Sequence, residues 1–174
     1  MTDERPPLDI DRLVATLDRH RVDYLLVGGV AAIAHGEVRS TSDLDCLARR
    51  SRENLERLAA AMRELNARLR VDGLSDEEAA LLPAPLDSDT LGRMEISTWR
   101  TDGGDLDVLT DIPARDGHRL RYEDVIERAA IQDVHGIVVQ VAALEDVIAS
   151  KEWADRPKDH EALPELRELA ARRD

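Results

Sequence analysis

Four apolar residues, Tyr24-Leu-Leu-Val27, run directly into Gly28-Gly29, and thirteen residues later two acids alternate around a leucine in Asp43-Leu44-Asp45. A short apolar run closed by glycines reads as a buried strand entering a tight turn. Residues 30–35 then read as a short helix with Gly36 at its left-handed end, and residues 44–48 as a second strand. Along a strand, side chains at i and i+2 share a face about 6.5–7 Å apart. Asp43 and Asp45 therefore reach one point in space while Leu44 faces the core. Two carboxylates this close repel, and burying them without a cation is costly. A pair of this kind suits a hard divalent ion such as Mg²⁺ or Mn²⁺. The glycines would let a phosphate approach backbone N–H groups at the positive end of the helix.

In a chain with 37 acids, an acidic pair alone also fits a solvated turn. A second segment weighs against that reading. Residues 93–100 and 105–109 read as a β-hairpin turning at Thr101-Asp-Gly-Gly104. Within Gly104-Asp105-Leu106-Asp107-Val108-Leu109, Asp107 sits between apolar neighbours, an awkward place for a charge unless something binds it. Asp43, Asp45 and Asp107 together would complete a site for two ions, one activating an acceptor hydroxyl and one holding a triphosphate. Asp105 shares the face of Asp107 and is the alternative ligand; Asp107 is preferred because Asp105 lies toward the turn.

The basic residues carry a further signal. Of 24 Lys and Arg, only Lys151 and Lys158 are lysines, and they stand within eight residues of each other. A compact ammonium differs from a guanidinium chiefly as a point charge for phosphate. The formal charge of −13 argues against a protein that coats nucleic acid, which would show basic stripes. It leaves room for a nucleic-acid end held at one local basic site, for which Arg39, Arg49, Arg50 and Arg52, flanking the acids, are the nearest candidates in sequence. No basic leader or long apolar run is visible, and the lone Cys46 cannot form an internal disulfide. These point to the cytoplasm.

The remaining chain reads as helical at 9–20, where Ile10, Leu13, Val14 and Leu17 recur at helical spacing. A helix capped by Ser51 follows, with Leu55, Leu58, Ala59, Met62 and Leu65 as its stripe. Residues 71–90 read as a short helix and an exposed loop. A second hairpin turns at His135-Gly136 into a strand at 137–141. Leu144, Val147, Ile148 and Lys151 share a helical face, and Pro157 and Pro164 each suit the first turn of a helix. The 174 residues suit one domain, with a core over 22–111 and a helical part over 143–174. The class is α/β (α+β): a small mixed sheet with helices grouped on one side. His35 reads as a packing residue at a helix end, Cys46 and Trp99 as core, and Trp153 as core or a border of the nucleotide.

With Gly28-Gly29, Asp43-Leu44-Asp45 and Asp107 in this order, the chain resembles the minimal nucleotidyltransferases of the DNA polymerase beta-like superfamily. Arg39-Ser-Thr41, together with Lys151, Arg156, Lys158 and Asp159, is similar to the AbiE- and MenT-type toxin nucleotidyltransferases. The resemblance spans residues 24–163. It implies a nucleotidyltransferase fold and transfer of NMP from an NTP such as ATP, with release of pyrophosphate. It also implies that Gly28, Gly29, Arg39 and Thr41 lie beside the triphosphate and that Lys151 and Lys158 neutralise it. Asp159 either orients a lysine or assists the acceptor; as a helix-start acid it has an equally good structural reason. Such a toxin would act on a tRNA or other RNA end and have a cognate antitoxin. The alternatives are a small-molecule enzyme of the aminoglycoside type, which an acidic shell would suit, and a regulatory module or antitoxin that nucleotidylates a partner protein.

Overall fold

A computed structural model describes residues 5–173, so the ends of the expected 1–174 domain lie outside the described residues. The chain opens with α1 (Ile10–Arg19), β1 (Tyr24–Val27), α2 (Gly28–Ala34), β2 (Asp43–Ala48) and α3 (Arg52–Glu64). Next come β3 (Arg68–Arg70), the short helices α4 (Asp76–Ala80) and α5 (Ser88–Arg93), and the hairpin of β4 (Ile96–Thr101) and β5 (Gly104–Leu109). A small separate hairpin, β6 (Asp111–Pro113) and β7 (Arg119–Arg121), leads into α6 (Tyr122–Ile126). A third hairpin, β8 (Ala130–Val134) and β9 (Ile137–Val141), precedes α7 (Leu144–Ala154) and α8 (Pro157–Ala171). Among the described residues no helix is long and apolar enough to cross a membrane.

Local signals start the principal helices. The Asp9 carboxylate accepts from Arg12 N at 3.0 Å and the Ser51 hydroxyl from Asn54 N at 3.3 Å, caps of the kind worth about 1 kcal/mol each. Leu13, Val14 and Leu17 on α1 and Leu55, Leu58 and Met62 on α3 are buried, so both apolar stripes face the core. Buried Asn54 then ties α3 to the sheet: it accepts from Asp23 N and donates to Asp23 O and Arg49 O, at 2.7–2.9 Å.

The main sheet has seven strands in the order β3-β4-β5-β2-β1-β9-β8. β2 pairs in parallel with β5, and β1 with β9; the other pairs are antiparallel. This is the expected mixed sheet flanked by helices, with one correction. All four residues of β1 are buried, so its two faces are both covered and the packing is not one-sided. Four consecutive apolar side chains must point alternately to opposite faces, and each face needs a cover.

Other differences have local causes. β3, β6 and β7 have three residues each, too few to show a period, and α5 and α6 have only six and five. α2 begins at Gly28 rather than at residue 30. α8 runs unbroken through Pro164, which does not start a helix as expected. Pro164 lies on the exposed face of α8, where the carbonyl deprived of its N–H partner can bond water.

Candidate active site

The parallel register of β2 and β5 sets Asp43 opposite Asp105 and Asp45 opposite Asp107. Two alternating acid pairs, 62 residues apart in the chain, thus stand side by side on one face of the sheet. Asp43, Asp45 and Asp107 all line a cleft of about 610 Å³. Burial raises the carboxyl of Asp45 to about 7, helped by repulsion from Asp43 and Asp107 and by the hydrogen bond it shares with Asp107. Burial also raises Asp107, opposed by the Thr98 hydroxyl. One oxygen of Asp107, Oδ1, is buried without a hydrogen-bond partner.

Asp105 has a different environment. It is buried rather than exposed at the turn, and Arg100 on β4 and Arg70 on β3, one strand further out, lie 3.5 and 3.8 Å from its oxygens. It does not line the cleft. Of the two β5 acids, Asp107 is thus the one that lines the cleft, while Asp105 already serves two guanidinium groups.

Both glycines are required by what lies against them. A Cβ on Gly28, whose φ is +62°, would fall 2.0 Å from Asp45 Oδ2. A Cβ on Gly29 would fall 2.7 Å from Thr41 Oγ1. Thr41 Oγ1 is in turn 3.2 Å from Asp43 Oδ1 and can donate to it. The start of α2 is thus pressed against the acids, and only residues without a side chain permit that approach.

Arg39, Lys151, Arg156 and Lys158 line the other walls. Lys151, on α7, keeps only 13% of its side chain exposed and lies 3.6 Å from Asp159 Oδ1. Arg156 Nε donates to Asp159 Oδ2 at 2.7 Å, and the Arg156 N–H also reaches this carboxylate as α8 begins. Arg39 donates to Glu161 Oε2 and to the Glu161 carbonyl, at 2.9 and 2.8 Å, which ties the loop before β2 to α8. Asp159 itself is fully buried and does not line the cleft. Burial would raise its carboxyl, but the bonds from Arg156 and the charge of Lys151 hold it below the usual range.

Nine of the ten expected site residues thus share one cavity, and the tenth, Asp159, holds two of its cations from beneath. Glu37, Ser40 and Ser42 also line it and were not foreseen. The serines flank Thr41 in the same short segment; Glu37 is one acid among many, with no pattern to mark it. Its side chain is buried, which raises its carboxyl, while Lys151 pulls the other way.

Several expectations need correction. Arg49, Arg50 and Arg52 do not line the cleft, because β2 carries the chain away from Asp43 before reaching them. Arg49 lies over the Tyr122 ring, Arg50 donates to Gly92 O, and Arg52 pairs with Glu56. Trp153 is neither core nor cleft: it is half-exposed and packs on Gly117 of the β6–β7 turn, which has no side chain to prevent it. Trp99 and Cys46 are core as expected. His35 is a buried packing residue whose ring bonds Ala142 O at 2.7 Å and Arg173 Nη1 at 3.0 Å.

Known proteins of similar fold carry related chemistry in their names. The lincosamide antibiotic adenylyltransferase LnuA superposes with a TM-score of 0.59 at 13% identity, covering 94% of this chain and 99% of that one. ANT(2")-Ia, solved with adenylyl-2"-tobramycin, gives a TM-score of 0.57 at 18% identity, covering 93% and 92%. TM1012 of Thermotoga maritima, assigned as a nucleotidyltransferase, gives 0.55 at 15% identity, covering 90% and 88%. At such identities the likeness carries the fold alone. No curated protein matches the sequence. The profile of the family described as nucleotidyl transferase AbiEii toxin, type IV TA system, matches residues 12–167. With that match over most of its length, the chain belongs to the AbiEii family of toxin nucleotidyltransferases and is a nucleotidyltransferase enzyme.

Proposed function

We propose that this cleft transfers a nucleoside monophosphate from an NTP to the hydroxyl of an RNA end, a tRNA in the first instance, as the toxin of a toxin–antitoxin pair. The observation that carries the reading is one cavity with an acid cluster on its sheet wall and a cation cluster on its helical wall. Asp43, Asp45 and Asp107 would hold Mg²⁺ or Mn²⁺. The donor set is all carboxylate oxygen, and Asp107 Oδ1 is buried without a partner, which fits a hard ion. Among the described residues no three or more acid, His or Cys side chains already stand close enough together to hold a metal ion by themselves. Substrate phosphate and water would complete the shell, as Mg²⁺ prefers.

When bound, such ions would lower the pKa of the acceptor hydroxyl and screen the charge on the phosphates. The protein's own groups supply the rest. Gly28 and Gly29 let the start of α2 come up against Asp45 and Thr41, which would bring its backbone N–H groups to the phosphates. Lys151, Arg156, Lys158 and Arg39 neutralise the triphosphate and the departing pyrophosphate. Asp159 keeps Lys151 and Arg156 aimed. The bond from acceptor oxygen to the α-phosphorus forms as the bond to pyrophosphate breaks, and the hydroxyl proton leaves to a carboxylate or water.

Incubation with each labelled NTP and Mg²⁺ against total tRNA, total protein and aminoglycosides tests the reading. We expect label on tRNA, lost by orders of magnitude in Asp45→Ala and Asp43→Asn while the fold persists. Full transfer by Asp45→Ala would end it.

A further inference from the structure

Glu37 is an acid on the cation-bearing side of the cleft, among Arg39, Lys151, Arg156 and Lys158. It is only 7% exposed, and its Oε1 is buried without a hydrogen-bond partner. A carboxylate in such a place costs free energy unless something donates to it or it takes up a proton. The charged groups that act on it are engaged elsewhere. From α7 it faces Lys151, whose Nζ lies 3.6 Å from Asp159 Oδ1. From its own loop it faces Arg39, which Glu161 holds through two hydrogen bonds. From α8 it faces Glu165, a like charge whose Oε1 accepts from Val38 N at 3.1 Å. His35, two residues earlier, has its ring bonded to Ala142 O and Arg173.

The cations of the cleft fall into two sets. Lys158 and Arg156 are the ones that interact with the acids Asp43 and Asp45. Lys151 and Arg39 act on Glu37 instead. Asp159 joins the sets, since its one carboxylate holds Arg156 and Lys151. A triphosphate with its α-phosphorus at the acids runs from the first set to the second, so its terminal phosphate arrives beside Glu37. We propose that Glu37 is a nucleotide-binding residue that selects NTP over NDP, its carboxyl donating an O–H to an oxygen of the terminal phosphate; the inference rests on the nucleotide-transfer reading above. Burial raises this carboxyl and Glu165 adds to the rise, while Lys151 and Arg39 oppose it. The arriving phosphate brings more negative charge and pushes in the direction of burial. Nucleotide binding thus draws a proton from solvent onto Glu37, and the departure of pyrophosphate returns it. A hydrogen bond to an ionised phosphate oxygen is of the short, strong kind.

The test titrates the full chain calorimetrically with a non-hydrolysable NTP analogue and with the matching NDP, in Mg²⁺, between pH 6 and pH 8. A proton taken up on binding makes binding weaken as the pH rises. Wild type should lose about tenfold more NTP affinity across this range than Glu37→Gln, whose amide fills the same place and cannot titrate. With the NDP, wild type and variant should keep parallel curves. The melting temperature of Glu37→Gln should equal or exceed that of wild type, because an unpartnered buried carboxyl has gone. Titration in two buffers of different ionisation heat counts the protons directly: wild type should take up more per NTP than per NDP. That count needs no variant, so it decides the matter even if Glu37→Gln fails to fold. Equal proton uptake with NTP and NDP would overturn the proposal. Parallel NTP curves for wild type and Glu37→Gln would do the same, and nucleotide binding itself would stand. Wild-type protein that binds no NTP analogue at any of these pH values would defeat the nucleotide-transfer reading and this inference with it.

Discussion

Gly28 is the residue on which the cleft geometry turns most sharply. Its φ of +62° and the Asp45 oxygen 2.0 Å from a would-be Cβ impose two separate penalties on any side chain. Left-handed backbone alone costs about 1 kcal/mol for alanine, and the methyl must also displace a carboxylate. Gly28→Ala should lower the melting temperature by several degrees and reduce transfer far more than that loss explains; calorimetry beside a transfer assay checks both. His35 allows a pH test remote from the acids. Burial is the main cause that lowers its pKa; the Arg173 charge adds to this, while the Ala142 carbonyl and Glu145 oppose it. The folded ring therefore resists a proton that the unfolded chain accepts near pH 6.5. Its stabilising contribution is complete above that pH and is lost as the pH falls toward the lowered value. Between pH 7.5 and 5 the melting temperature of wild type should fall more steeply than that of His35→Gln. Parallel curves would show that this ring does not titrate as described.

At the scale of elements, the turn between α7 and α8 is where packing and function meet. Asp159 starts α8 by accepting from the Arg156 N–H, and the same buried carboxylate holds the side chains of Arg156 and Lys151. Asp159→Asn keeps the shape but removes the charge that fixes two cleft cations. We expect a stability loss of about 1–3 kcal/mol and weaker NTP binding, with Lys151→Ala weakening NTP binding without a comparable stability loss. Normal nucleotide affinity in Asp159→Asn, measured by calorimetric titration, would reduce this residue to a helix-start acid. The elements differ in how readable they are. β1, α3 and α7 announce themselves through runs and stripes of apolar residues. β3 and the β6–β7 hairpin consist of three-residue strands whose pairing partners alone make them strands. Pro164 suggested a helix start because local chemistry permits one; its exposed position in α8 is a tertiary fact.

For the molecule as a whole, the distribution of charge matters more than its sum of −13. Four cations face the cleft, whereas Arg49, Arg50 and Arg52 are engaged away from it. Neutralising those three arginines should leave NTP binding and its salt dependence unchanged. Lys158→Ala should weaken NTP binding and flatten its dependence on ionic strength. The opposite pattern would place the anion site elsewhere. The sequence by itself determined the strand–glycine–helix–strand order, the shared face of Asp43 and Asp45, the candidacy of Asp107 and the singular pair of lysines. Each of these follows from spacing along the chain, and backbone geometry turns spacing into direction. Only the tertiary structure decided that β2 lies parallel to β5 in a register that sets Asp45 against Asp107. It also decided that Asp105 is claimed by arginines and that Glu37 joins the cleft. These depend on which distant segments pack together, and the free energy of that packing is distributed over the buried core rather than written at any one position.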